Sequence, residues 1–446
     1  MDIDMDDFST NRHAESDPLL TSGIPDLTDS PPIRHSDMWF SDGNIVLVAG
    51  DVYFRVHQGL LCRHSAPLRE AVGALEAQAG REEQTERYLI EGQRVLVLDD
   101  QPKDLCHFLL ALYDGISHVK HDNQDFDIVS ALLRLSTKYR VEHIRNDVLR
   151  GMSMVWPRNL SAWEFREADA TDSTGVYKPR SIYPHPILVI NLAKETSSPY
   201  LLPSAFYDLS RCAASEIATG YLPPGSTDRS ALVTLSDEDL MNVLRGREHA
   251  SRFLSTFVVN ELEGREPSVN CLHRNSGAGA HGDGGAGGEL DTVRKRICQA
   301  TFEATTFEIL RDVNGVVLHR SSDPLFAIMD ADLMQTRGPD PSAVSILGGG
   351  GALGAFAAGA AGGVAGVAGG PGGVAGGAGG GGMGPGGGVG AGGAAGQGAV
   401  AMGRLGLLHR ACEPCRMEFT AAVDAAREEL WHKLPYWFGV CLDSWP

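Results

Sequence analysis

The sequence is short of positive charge, of long apolar runs and of framed cysteines. Against 57 Asp and Glu stand 38 Lys and Arg, a formal net charge of -19 over 446 residues. A balance of that sign argues against a general nucleic-acid binder, which carries a basic patch or stripe, and against adhesion to anionic membrane surfaces. No unbroken run of about 20 Leu, Ile, Val or Phe residues occurs, so no transmembrane helix is expected. The opening MDIDMDDFST is acidic and has no apolar stretch, which predicts no secretory leader. The 8 cysteines are scattered. Reduced thiols in an intracellular compartment, cytoplasmic or nuclear, are therefore expected. A GxSxG elbow and an HExxH motif are also missing, which removes the simplest hydrolase readings.

Glycine, by contrast, is plentiful: 54 residues, well above the usual share of about 7%. It concentrates in two tracts, one around GAGAHGDGGAGG and a longer one from Ser342 to Gly403 that contains no charged residue. GxGxxG-like matches in the long tract follow no strand and open no helix, so the phosphate-cradle geometry is not expected there. Both tracts read as flexible insertions. The hydrophobic fraction of 43% still leaves material for a sizeable core.

The organisation that follows is a disordered acidic tail (1–36), a mixed α/β domain (37–155), an α-helical region (156–264) and a Gly-rich linker (265–290). After these come a short helical or strand segment (291–338), a Gly/Ala-rich insertion (339–403) and a C-terminal segment (404–446). Within the second region, GNIVLVAGDVYFRVHQ predicts strand, tight turn and strand, broken at Ala49-Gly50-Asp51. GLLCRHSAPLREAVGAL predicts a helix interrupted by Pro67. RVLVLDD predicts a third strand, and PKDLCHFLLALYDG a helix with Pro102 at its start and Gly115 at its stop. Ser236 is expected to cap a helix opened by Asp237 and Glu238. The fold class is α+β, with an α-rich C-terminal region carrying the Gly-rich insertions.

The run FRVHQGLLCRHSAPLRE gathers His57, Cys62, His64 and Ser65. A catalytic nucleophile needs a base within hydrogen-bond reach. Cys62 and His64, two positions apart, do not share a helical face. The expectation is a structural histidine at a strand–helix junction and a buried cysteine, with no catalytic residue.

The run SDGNIVLVAGDVYFRVHQGLLCRHSAPLREAV resembles the first two strands and first helix of BTB/POZ domains, through Phe54, His57, Leu60, Leu61 and Ser65. RVLVLDD and PKDLCHFLLALYDG look like the next elements of that fold. AFYDLSR, the CxxC and WHKLPYWFGVCLDSW resemble the C-terminal half of a group of fungal BTB-containing proteins. The resemblance implies a protein–protein interaction module without enzymatic activity or a small-molecule substrate. It implies self-pairing to a homodimer through the first strand and first helix (Ile45, Val46, Leu47, Leu60, Leu61). An adaptor role on a cullin-type ubiquitin ligase scaffold is the alternative. The sequence departs from the family at Asn44 and Gln58, where a charged Asp and Arg commonly support the dimer pocket. GISHVKHDNQDFD, moreover, lacks the hydrophobic-x-Glu motif of cullin-recruiting members.

Cys412 and Cys415 form the one metal-like spacing. They are half of a structural zinc site, with Cys271, His273, Cys298 and His409 as candidates for the remaining ligands. The rival, favoured on sequence grounds, is a helix-leading turn whose cysteines pack under Trp431 and Phe438. A metal or thiol enzyme at the CxxC is a third reading, although the motif does not follow a strand of a βαβ unit. The basic run Arg294–Arg296 reads as a solvated helix face. The terminal aromatics Trp431, Tyr436, Trp437, Phe438 and Trp445 are expected to pack onto the helical region.

Overall fold

The computed structural model describes residues 33–79, 89–117, 119–122, 124–173, 176–273, 297–311, 323–337 and 410–445. The acidic segment before Ile33, Arg294–Arg296, the insertion 339–403 and His409 lie outside the described residues. The chain divides into two compact units, the first built from Met1–Phe257, Arg311–Met329 and Asp424–Pro446, the second from Val258–Leu310 and Asp330–Val423.

The first unit opens with a five-stranded sheet of order β1-β3-β2-β5-β4. Strand β1 (Ile33–Trp39) takes in residues 33–36, which the sequence reading gave to the tail; IRHSDMW has only Met38 buried, so no apolar period announces it. Strands β2 (Ile45–Ala49) and β3 (Val52–Val56) form the expected hairpin. Gly50 turns it at φ +54, a region that side-chain-bearing residues rarely enter. Strands β4 (Leu89–Ile90) and β5 (Gln93–Leu98) follow, β5 running parallel to β2. In this register Val46 and Val48 share a face with Tyr53, Val95 and Val97, while Ile45 and Leu47 share the other with Val56, Phe54 and Leu96. All five residues of β2 are buried, which is why it reads as a continuous apolar run rather than an alternation.

After β3 come α1 (Gln58–His64) and α2 (Ala66–Ala79). The interruption falls at Ser65, not Pro67. Ser65 is extended, its Oγ accepts from the Leu68 backbone N–H (3.1 Å), and it donates to the Tyr139 carbonyl (2.7 Å). Pro67 sits harmlessly in the first turn, where its missing N–H has no partner to lose. Helix α3 (Pro102–Asp114) starts and stops where expected, with Gly115 at φ +78. It packs on α4 (Phe126–Lys138), which packs on α5 (Glu142–Val155).

Helices α6 (Leu160–Asp169), α7 (Pro186–Glu195), α8 (Leu202–Ser210), α9 (Ala214–Thr219) and α10 (Asp237–Phe257) continue the same unit. Ser236 caps α10 as expected, its Oγ accepting from Asp239 N–H at 3.1 Å. The C-terminal aromatics return here. Trp431 is 1% exposed and its indole N–H donates to the Arg158 carbonyl (2.7 Å). Phe438 stacks on Phe206 and faces Gly246, where a Cβ would lie 2.0 Å from the ring. Tyr436 departs from the expectation and is 82% exposed.

Every residue of α8 is buried, including Asp208. Around it lies a closed charge network. Arg166 donates to Asp208 (2.7 Å) and Glu167 (2.9 Å), with its guanidinium 4.6–4.7 Å from the rings of Trp156, Trp163 and Tyr183. Arg180 donates to Asp208 (2.9 Å). Arg211 donates to Asp208 (2.6 Å), Glu167 (2.8 Å), Asp323 (2.7 Å) and the Tyr177 hydroxyl (2.6 Å). Burial alone would raise Asp208, but Arg180, Arg166 and Arg211 hold its carboxylate well below the usual range. Three cations thus face three anions.

The second unit contains a π-helical turn (Val258–Leu262), the segment running to His273, α11 (Ile297–Arg311) as far as Leu310, and the adjoining parts of α12 (Pro324–Arg337) and α13 (Glu413–Trp437). Phe302 and Phe419 pack with ring centroids 5.2 Å apart, under the Arg265 guanidinium. Among the described residues no helix is long and apolar enough to cross a membrane.

Removing one member of a buried charge set leaves its partners uncompensated. Arg211→Met should destabilise the first unit by about 3–5 kcal/mol, read as a lower urea midpoint by tryptophan fluorescence; a loss below about 1 kcal/mol would mean the network contributes no more than an exposed ion pair.

Candidate metal centre

The second unit brings four cysteines from three segments to one point. Cys271 closes a turn in which its N–H donates to the Ser268 carbonyl (2.9 Å). Cys298 lies in the first turn of α11. Cys412 immediately precedes α13, its carbonyl accepting from Arg416 N–H (2.9 Å), and Cys415 lies in the first turn of that helix. All four are buried, and their sulfurs lie within 4.8 Å of one another.

The distances match a particular chemistry. Cys271 and Cys298 sulfurs are 3.8 Å apart, and Cys412 and Cys271 sulfurs 3.7 Å. A disulfide would require about 2.05 Å. Four thiolates at about 2.3 Å from a central ion stand about 3.8 Å from each other along the edges of a tetrahedron. Two backbone amides also point at sulfur: Ser268 N–H donates to Cys415 Sγ and Cys412 N–H to Cys298 Sγ, each at 3.3 Å. Such donors stabilise sulfur that carries negative charge. A hydrogen bond from Cys298, aided by the Ser268 amide, pushes the Cys415 thiol down to about 5, whereas burial pushes Cys412 up. The start of α13 adds the positive end of a helix dipole beside Cys415. The four cysteines can hold a metal ion.

Of the ligands sought for Cys412 and Cys415, Cys271 and Cys298 are therefore the ones brought in. His273 is half-buried and lies outside the sulfur group, its Nε2 buried without a hydrogen-bond partner. The CxxC turn, expected to pack under Trp431 and Phe438, gathers with Cys271 and Cys298 inside the second unit. Trp431 and Phe438 lie in the first unit, with Trp163 and Phe206 as ring neighbours. Neither Cys271 nor Cys298 belongs to a local motif, so only the fold could join them to the pair.

Among the other sequence-derived residues, Cys62, expected to be buried, is half-buried. His57 precedes α1, and its ring Nδ1 lies 2.9 Å from the Tyr113 hydroxyl. That hydroxyl also accepts from His57 N–H at 3.0 Å, and the ring Nε2 lies 3.3 Å from the Asp42 carboxylate. Burial pushes Tyr113 up, which keeps it a neutral donor. The chain Asp42–His57–Tyr113 pins the strand-to-helix junction. Burial likewise raises Cys62 and lowers His64, so they form no thiolate–imidazolium pair. Ile45, Val46, Leu47 and Leu61, read as a self-association surface, are at most 1% exposed, and Phe54 is fully buried. Their side chains are interior, Ile45 and Leu47 on one face of the sheet, Val46 on the other and Leu61 in α1, and only Leu60 of the set is half-exposed.

One small cavity in the first unit is lined by His185, Cys212, Glu216 and Tyr221, with a volume of about 280 Å³. Burial and the Arg180 charge push His185 down to about 4, and burial raises Cys212, so both groups are neutral near pH 7.

Thiol titration separates the cysteine classes. Cys441, exposed, should react first with an aromatic disulfide reagent, and Cys271, Cys298, Cys412 and Cys415 should react only on denaturation. Rapid reaction of any of those four in the native chain would contradict the closed centre. No family model matches this chain, and no curated protein matches it.

Proposed function

We propose that this chain is a non-enzymatic protein–protein interaction module, built on a BTB/POZ-like region and carrying zinc at its four-sulfur centre. The observation that carries the interaction reading is the order of elements from Ile45 to Val155. A β2–β3 hairpin leads through His57 into α1 and α2; β5 then inserts beside β2, and α3, α4 and α5 follow. That is the order the resemblance implies. Asn44 and Gln58, at the positions of the family's charged pair, are engaged within the chain: Asn44 Oδ1 accepts from Gln58 N–H (2.8 Å) and the Gln58 amide donates to Glu76 (3.1 Å). Self-pairing would therefore use what the sheet leaves outward, the edge strand β1 and the half-exposed Leu60, rather than the buried residues of β2. Light scattering of the full chain at micromolar concentration should give the mass of two chains; the mass of one would overturn self-association.

Zinc is the ion that suits a buried tetrahedral set of four thiolates, and a closed set with no open position suits a structural role rather than a catalytic one. Purified protein should carry about one zinc per chain, and less than about 0.2 would exclude a stoichiometric site. Cys271→Ser should lower the content, whereas Cys441→Ser should leave it unchanged.

A further inference from the structure

We infer that metal capture is what folds the second unit, while the first unit folds without it. The inference rests on the zinc reading and adds a conformational consequence to it. The ligands are far apart in sequence: 298 − 271 − 1 leaves 26 residues between Cys271 and Cys298, and 412 − 298 − 1 leaves 113 between Cys298 and Cys412. Much of both intervals is glycine, which loses the most conformational freedom when ordered. Contacts of α11 with the 263–273 segment and with α13 each close one of these loops, and the described residues offer little apolar surface with which to do so. Among the described residues, its larger buried apolar side chains beyond the cysteines are Val258, Leu262, Phe302, Ile309, Phe419 and Val423. Its interior is diluted by polar groups, among them Gln335, whose amide donates to Thr305 (2.7 Å) while its own oxygen is buried without a partner. Cores of that size normally need a disulfide or a metal, and the cysteines are free thiols. Binding four dispersed ligands to one ion closes both loops at a single point, so binding and folding become one event.

The first unit has the opposite character. It holds a five-stranded sheet, a fully buried helix α8 and all 6 tryptophans, Trp39, Trp156, Trp163, Trp431, Trp437 and Trp445. Tryptophan emission therefore reports on the first unit, and backbone protection in 258–273, 297–310 and 410–423 reports on the second.

The test uses the zinc-loaded full chain under reducing conditions, treated with a high-affinity zinc chelator and then with excess zinc. Hydrogen exchange in the second-unit segments should accelerate at least about tenfold on chelation and recover on zinc addition, while tryptophan emission stays unchanged. Cys415→Ser should show the same pattern without chelator. Unchanged protection of 297–310 and 410–423 after the metal has left would overturn the inference while leaving the zinc reading intact. Loss of tryptophan signal together with second-unit protection would overturn the claim that the first unit is independent. Absence of zinc from the purified chain would instead refute the ion assignment, and this inference with it.

Discussion

The first unit depends on the charge network around Asp208. A carboxylate on a fully buried helix is tolerable only if its charge is matched and its oxygens are bonded. Here Arg166, Arg180 and Arg211 supply both, while Glu167 and Asp323 balance the remaining positive charge. The members come from α6, the stretch after it, α8 and the segment that leads into α12, so the network ties together pieces that no hydrophobic period connects. The aromatic rings of Trp156, Trp163 and Tyr183 surround the Arg166 guanidinium and replace the water it gives up. Non-directional apolar packing would admit many arrangements of these helices. Paired, directional bonds admit few.

The second unit meets the same difficulty with sulfur. Its segments are separated by glycine-rich sequence, and its apolar core is modest, so a polar centre of fixed geometry takes the organising role. In both units the specifying interaction is buried, polar and assembled from distant residues.

That distribution explains what could be read in advance. The β2–β3 hairpin, the limits of α3 and the Ser236 cap are local: each follows from a run of apolar residues, a glycine or proline, or a side chain three residues from its partner. Strand β1 was illegible because it is an edge strand with four of its seven side chains polar or charged and little of it buried. The break at Ser65 was misplaced by two residues because proline is the louder signal, although in the first turn of a helix it breaks nothing. Cys412 and Cys415 were visible as a pair. Their partners Cys271 and Cys298 were legible only as two of four candidates, because no spacing sets them apart from His273 and His409. The self-association residues came from the resemblance, and in a central strand such as β2 apolar residues are buried on both faces. The Arg166–Asp208–Arg211 network left no trace at all, because charged residues scattered over helices look like solvent-facing ones.

The return of the C-terminal aromatics has a consequence for the order in which this molecule can be made. Trp431 bonds the Arg158 carbonyl across 273 positions, and Arg158 bonds the Ser444 carbonyl across 286. Phe438 occupies the space that Gly246 leaves open. A chain emerging from the ribosome therefore presents the sheet and its helices long before the residues that close over Trp163 and Phe206 have been synthesised. Until they arrive, those apolar surfaces face solvent, and the nascent protein resembles a partly folded intermediate more than a finished domain. Folding of the first unit is thus a late event in synthesis, though its sheet is among the first structure to leave the exit tunnel.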